Sequence, residues 1–246
     1  MSQSLALSAF APDDWIADGA AVPFFTIPYP TRMALVRLRE GGLFVWSPIG
    51  MTPELKAEVE ALGEPKFLVS PNKLHHLFLA EWRAAYPRAK LFAPPGLRRR
   101  RPDLAFDAGL VDAADPGWAG EIDQVLFRGS FAMTEVVFYH RASRTAIFAD
   151  LIQSLPRDLV KGWRGVLARL SGILEPNVGI PADWRASFFD RKAARAALAS
   201  ILTRDIERVV IAHGAPVQRD GEAFVRRAFA WLADPGAEGK ADEPVD

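Results

Sequence analysis

The chain has 246 residues, half of them hydrophobic, with 16 Phe and 7 Trp, enough for one large domain with two or more packed layers and too apolar for disorder over most of its length. Thirty Lys and Arg balance thirty Asp and Glu, so no global field gathers nucleic acid or an anionic membrane, and a polyanion site would have to be local. The absence of cysteine removes disulfides, thiol nucleophiles and every cysteine-containing zinc site, leaving His, Asp and Glu as metal ligands.

The N-terminal stretch MSQSLALSAFAPDDWIADG has neither a basic start nor an uninterrupted apolar run, and no later segment approaches the roughly 20 apolar residues of a spanning helix. The expectation is a soluble, cytoplasmic protein with no membrane and no nucleic-acid partner. A Pro-rich lead (AVPFFTIPYPTR, residues 21–32) closes an N-terminal extension over residues 1–32. MALVRL and GLFVWS, separated by REGG, then predict a hairpin that opens the fold. In MTPELKAEVEALGEP, Thr52 as N-cap, Pro53 at the first helical position, Leu55, Val59 and Leu62 on one face and Gly63 at the end predict a helix.

KFLVSP reads as a buried strand and LFLAEWRAAYP as a helix, which leaves the two histidines of PNKLHH at a strand-to-helix turn. AKLFAPP is another strand, followed by a loop-rich stretch carrying Arg98–Arg101. EIDQVLFRG, TEVVFYH and RTAIFADLI are three consecutive strands, the last two joined by the polar turn RASR. Leu159, Trp163, Val166, Leu167, Leu170 and Ile173 recur at helical spacing, and DWRASFFDRKAARAALASILTR predicts a second long helix. Together they form a helical insertion over about residues 157–203. RVVIAHG is a final strand, GEAFVRRAFAWL a last amphipathic helix, and residues 235–246 a polar tail expected to be disordered. The order is that of an α/β (α+β) protein with one domain over residues 1–234.

Four histidines occur in the chain. His75, His76 and His213 fall just past predicted strands, as does Asp150. Strand ends converge on one edge of a layered sheet, so these side chains can meet in one cleft and form a zinc or iron shell. Taken alone, each is more often a hydrogen-bonded structural residue, a cap or a turn residue than a metal ligand, and it is their shared topological place that points to a site. His140, before RASR, is expected to be structural, Trp46 and Trp82 to pack in the core, and the arginine run to be solvated loop surface. No dinucleotide fingerprint, P-loop or Gly-x-Ser-x-Gly elbow occurs.

This element order, with SPNKLHH after an early strand, FADL at the end of a middle strand and AHG at the end of a late one, resembles the metallo-β-lactamase superfamily over about residues 33–232, and within it an uncharacterised branch. The resemblance implies a four-layer αββα sandwich. It also implies that SPNKLHH stands at the place of a degenerate His-x-His-x-Asp-His motif. Residue by residue, His76 matches the last histidine, His75 stands where the aspartate belongs, Asp150 matches the bridging aspartate and His213 the final histidine. Pro71 and Lys73 replace the first two histidines, and Phe131 stands where another is usual, so one ion, zinc or iron, is implied instead of two.

With three neutral ligands and one anion, a divalent ion leaves a net positive site that favours an anionic small molecule. Lys73 is then expected to supply charge beside Asp150 with Asn72 hydrogen-bonding nearby, giving His75, Lys73 and Asn72 as candidate catalytic residues. Two functions stay open: a metal-dependent hydrolase of an ester, amide or phosphoester, and a catalytically inactive binding or interaction protein without metal.

Overall fold

The computed structural model describes residues 6–24, 27–157, 159, 165–166 and 169–233. Its strands form two sheets. The first sheet is built in chain order from β1 (Ser8–Ala11), β2 (Asp14–Phe24), β3 (Ile27–Arg37), β4 (Gly42–Trp46), β5 (Glu64–Val69), β6 (Lys90–Ala93) and β7 (Ala108–Gly109). The strands β1 to β4 run antiparallel, and β4 to β7 are parallel. The second sheet has the order β11-β10-β9-β8, from β8 (Ile122–Phe127), β9 (Glu135–His140), β10 (Thr145–Ser154) and β11 (Arg208–Gly214). Its β8, β9 and β10 are antiparallel, and β10 and β11 are parallel.

Three apolar clusters define the layers. Phe44, Trp46, Val69 and Phe92 of the first sheet meet Val136, Phe138, Ile147 and Val210 of the second, so one core lies between the sheets. The opposite face of the first sheet, with Leu43, Val45 and Leu68, buries Leu55 and Val59 of α1 (Pro53–Leu62) and Leu79 and Trp82 of α2 (Leu79–Ala85). The outer face of the second sheet, with Phe148 and Ile211, buries Ala194, Ala197 and Ile201 of α5 (Arg191–Ile201) and Val225 of α6 (Gly221–Ala228). Two sheets back to back with helices outside make the four-layer αββα sandwich. No helix among the described residues is long and apolar enough to cross a membrane.

Local chemistry accounts for the element ends. Thr52 is extended (φ −105°, ψ 160°) and its side chain accepts from Leu55 N at 3.1 Å, and Pro53 follows at the position where a missing N–H costs nothing. Gly63, at φ 155°, ends α1; a Cβ there would sit 2.6 Å from Gly41 O. Every residue of β4 and β9 is buried, as strands covered on both faces must be.

Three expectations change. The sheet does not begin at Met33, because residues 8–32, expected as an extension, already lie largely in β1, β2 and β3. Pro23 stands opposite Pro28 near the hairpin tip, a location where proline is tolerated, so its presence does not bar strand formation. The long helix of residues 183–204 is broken into α4 (Ala182–Arg185) and α5. Between them Phe188 is buried against Phe127 and Trp231 and bridges to Ser130, and Asp190 starts α5 afresh by accepting from Ala193 N at 2.9 Å. The arginine run is a helical turn, α3 (Leu97–Arg100), instead of open loop. Much of the helical pattern at residues 157–175 (158, 160–164, 167 and 168) and the tail from 234 onward lie outside the described residues.

Candidate metal centre

Parallel pairing of β4 with β5 and of β10 with β11 puts the C-terminal ends of each pair on one edge of its sheet. Ser47 follows β4, residues 70–76 follow β5, and His213 is near the end of β11. Asp150 reaches the same edge through an irregularity in β10. Phe148 pairs with Ile211 and Gln153 with His213, so residues 149–152 stand opposite Ala212 alone. This bulge turns the Asp150 carboxylate inward.

One oxygen of Asp150 and one ring nitrogen each of His75 and His213 lie within 4.8 Å of one another, the only such group among the described residues. His213 Nε2 is 2.9 Å from Asp150 Oδ1, and His75 Nε2 is 3.3 Å from Asp150 Oδ2. The outward nitrogens are occupied. His213 Nδ1 faces Pro30 O at 2.8 Å; a carbonyl can only accept, so Nδ1 carries the proton. His75 Nδ1 faces Ser47 Oγ at 2.8 Å. With both Nδ1 positions engaged, the two Nε2 atoms are the ring nitrogens turned to the carboxylate. Two ring nitrogens and a carboxylate oxygen stay this close only with a cation or protons between them, so the donor set suits a divalent ion, and the Pro30 carbonyl sets the His213 tautomer.

The carboxylate itself is held from behind. Asn72 Nδ2 donates to Asp150 Oδ2 at 2.8 Å and to Glu135 Oε2 at 3.1 Å, and Asn72 Oδ1 accepts from Leu74 N. Glu135, 1% exposed, accepts from Ala149 N and Asp150 N at 2.8 Å each and from Leu151 N at 3.3 Å. Extending the β9–β10 register (His140 with Thr145, Phe138 with Ile147) would set Glu135 opposite Asp150. Its side chain therefore takes the N–H groups that the bulge frees from the ladder. Burial would raise the pKa of Asp150, but the neighbouring His75 and His213 outweigh it and hold the group well below the usual carboxylate range. Burial, then the Asp150 charge, push Glu135 up to about 8 against its hydrogen bonds.

Of the residues singled out from sequence, His75, Asp150 and His213 come together and His76 does not. The His76 ring turns the other way, where Arg100 Nε donates to Nε2 at 2.9 Å and Arg101 Nη1 lies 3.3 Å from Nδ1. Burial and then these two guanidiniums lower its pKa. The turn carrying the two histidines, closed by His76 N on Leu74 O at 2.9 Å, presents only His75 to Asp150 and His213. Lys73 does not pair with Asp150; its Nζ donates to Ala132 O at 2.5 Å. Asn72 does contact Asp150, but it is fully buried and committed to protein partners, so it orients the carboxylate and is not free to meet a ligand. Phe131 is 72% exposed and stacks on Phe189 at 5.2 Å. Trp46 and Trp82 are in the core, as expected, Trp46 with its ring 6.1 Å from that of His75. His140 is buried and lies 2.6 Å from Asp14.

Sequence reasoning missed Ser47, Glu135, Arg32 and Tyr29. Arg32, taken as part of the lead, is 8% exposed, bonds Ile211 O at 2.8 Å and Gly214 O, and pairs with Asp18, fixing the backbone on both sides of His213. The ring of Tyr29 stands edge-on to His213 at 5.1 Å, and burial and Asp150 raise its pKa. A lone acid heading the apolar run VVFY was a usable signal for Glu135. Nothing in the pattern marks Ser47, whose φ of +51° is left-handed.

Sandwich and site together define a protein of metallo-β-lactamase fold. Similar solved structures include the metallo-β-lactamase from Pontibacter korlensis, at 12% identity and TM-score 0.61 over 93% of this chain and 99% of that one. The metallo-β-lactamase FIM-1 from Pseudomonas aeruginosa, in its mono-zinc form, is 10% identical with TM-score 0.59 over 93% and 96%. The metal-soaked Flv1 flavodiiron core from Synechocystis is 12% identical with TM-score 0.61 over 92% of this chain and 60% of that one. No curated protein matches the chain. The model of a domain of unknown function, DUF4336, matches residues 20–165, more than half of the chain, and the protein belongs to that family.

Proposed function

We propose that this protein is a metal-dependent hydrolase holding one zinc or iron ion on His75, Asp150 and His213 and acting on an ester, amide or phosphoester of an anionic small molecule. The observation that carries this reading is the convergence of two Nε2 atoms on one carboxylate while Ser47 and Pro30 engage both Nδ1 atoms. Three protein ligands leave open coordination positions, as catalytic sites do and closed four-ligand structural sites do not. When bound, such an ion supplies Lewis acidity toward a carbonyl or phosphoryl oxygen and acidifies water. The chain's own part is positional: Pro30 fixes the His213 tautomer, Ser47 orients the His75 ring, Asn72 and Glu135 aim the carboxylate, and Arg32 holds the backbone around His213.

Metal analysis of protein purified without a His-tag, with turnover of p-nitrophenyl esters and phosphoesters, tests the reading. About one equivalent of ion is expected, falling below about a tenth in His75→Ala and His213→Ala together with turnover. Wild-type protein that neither contains nor takes up an ion would refute it. The second reading, a metal-free binding protein, is favoured by the same short distances of 2.9 and 3.3 Å, which suit an imidazolium–carboxylate cluster; there the refuting result becomes the expected one.

A further inference from the structure

Two surface features that the metal centre does not use meet at Lys73. On one side is α3. Its arginines Arg98, Arg99 and Arg100 are exposed, and among the described residues none of them, nor Lys73, forms an ion pair with a carboxylate. Arg101 alone is paired, with Asp103 at 2.7 Å. The His76 ring lies against Arg100 and Arg101, accepting from Arg100 Nε at 2.9 Å, a contact that orients Arg100 without neutralising it. In a chain whose charges balance, this is a local excess of cations. The stem of Lys73 approaches Gly96, just before the arginine run: a Cβ on Gly96 would lie 3.8 Å from Lys73 Cδ.

On the other side is the loop after β8. Lys73 Nζ donates to Ala132 O, and the adjacent Phe131 carries its ring into solvent, stacked on Phe189, which is 81% exposed. The pair is held out, not frayed: Phe131 N donates to Ser187 O, Ser130 Oγ bonds Ser187 Oγ at 2.6 Å, and Trp184 Nε1 donates to Ser130 Oγ. Two large apolar rings fixed in water by a polar network carry an unfavourable hydration cost that a ligand covering them would relieve. Lys73 belongs to the turn that also supplies Asn72 and His75, so both features border the metal centre.

We propose that this rim binds an amphiphilic phosphate monoester, the phosphate on Lys73, Arg99 and Arg100 and the apolar chain across Phe131 and Phe189. Guanidinium groups without carboxylate partners suit the phosphate oxygens, and the rings suit a chain that the phosphate tethers. That the bound molecule is also the substrate rests on the hydrolase reading; the binding itself does not.

Calorimetry on chelator-treated protein separates the two. The probes are octyl phosphate below its micelle concentration, inorganic phosphate and octyl glucoside. Octyl phosphate is expected to bind at least about tenfold more tightly than either of the others. Phe131→Ser with Phe189→Ser should weaken octyl phosphate about tenfold and leave inorganic phosphate unchanged, and Arg99→Ala with Arg100→Ala should weaken both phosphates about tenfold. All four side chains are at the surface, and an unchanged melting temperature confirms that the variants fold. Equal affinity for the three probes, or variants that bind as wild type does, would overturn the proposal. So would tighter adsorption to anionic phospholipid vesicles than to octyl phosphate, which would assign the rim to a membrane surface. Rim binding without metal uptake would refute the hydrolase reading alone, and metal uptake without rim binding would refute the rim alone.

Discussion

Glu135→Ala removes the acceptor for three backbone N–H groups inside the sandwich, those of Ala149, Asp150 and Leu151, while Asn72 keeps its bond to Asp150. Each buried donor left unpaired costs about 1–3 kcal/mol, so the loss by hydrogen bonding alone is about 3–9 kcal/mol. Water entering the vacated space recovers part of it. So does removal of an acid that burial and Asp150 push up to about 8. The net expectation is about 4 kcal/mol. Glu135→Gln keeps one acceptor oxygen but sets an amide N–H₂ against donors, and should cost about 2 kcal/mol. Urea unfolding of chelator-treated protein reads both, because without metal no binding energy enters the balance. A loss under about 1 kcal/mol for Glu135→Ala would mean that the β10 bulge holds itself and that Glu135 does not position Asp150.

Other outcomes follow from the same geometry. His76→Ala should keep full metal content, whereas His75→Ala should lose it; equal losses would return His76 to the ligand set. The His76 imidazole should titrate below 6.5 by NMR, since burial and then Arg100 and Arg101 lower its pKa. Because its folded pKa lies below the unfolded value, its contribution to stability is intact above about 6.5 and fades as the pH falls through that value toward the folded pKa. A midpoint above 6.5 would contradict the two-guanidinium environment. Gly214→Ala would bring a Cβ to 2.5 Å from Ser154 O at φ +144°, so a loss of at least about 2 kcal/mol together with weaker metal uptake is expected in denaturation and metal titration.

The strands could be read from the chain because their signals are local: β4, β9 and β11 carry continuous apolar runs, and His213 sits near the end of its strand, whereas Asp150, expected just past a strand, lies inside β10 at its bulge. What escaped depends on contacts between distant residues. Which of His75 and His76 faces the site is a matter of backbone direction in the turn, and two adjacent histidines give the same residue pattern either way. Prolines at residues 23, 28 and 30 suggested a lead, yet pairing between β2 and β3 tolerates them at the hairpin tip. The helical periodicity of residues 183–204 ran through Phe188, whose burial on the second sheet outweighs local propensity. The support for Asp150 comes from Glu135, 15 residues away, and Asn72, 78 away, separations that no periodic pattern encodes.

Zinc soaked into crystals and located by anomalous scattering tests the metal assignment directly. A single peak within about 2.0–2.2 Å of His75 Nε2, His213 Nε2 and a carboxylate oxygen of Asp150 is the expected result. A map with no density among these three side chains, or with its only peak at His76, would contradict it.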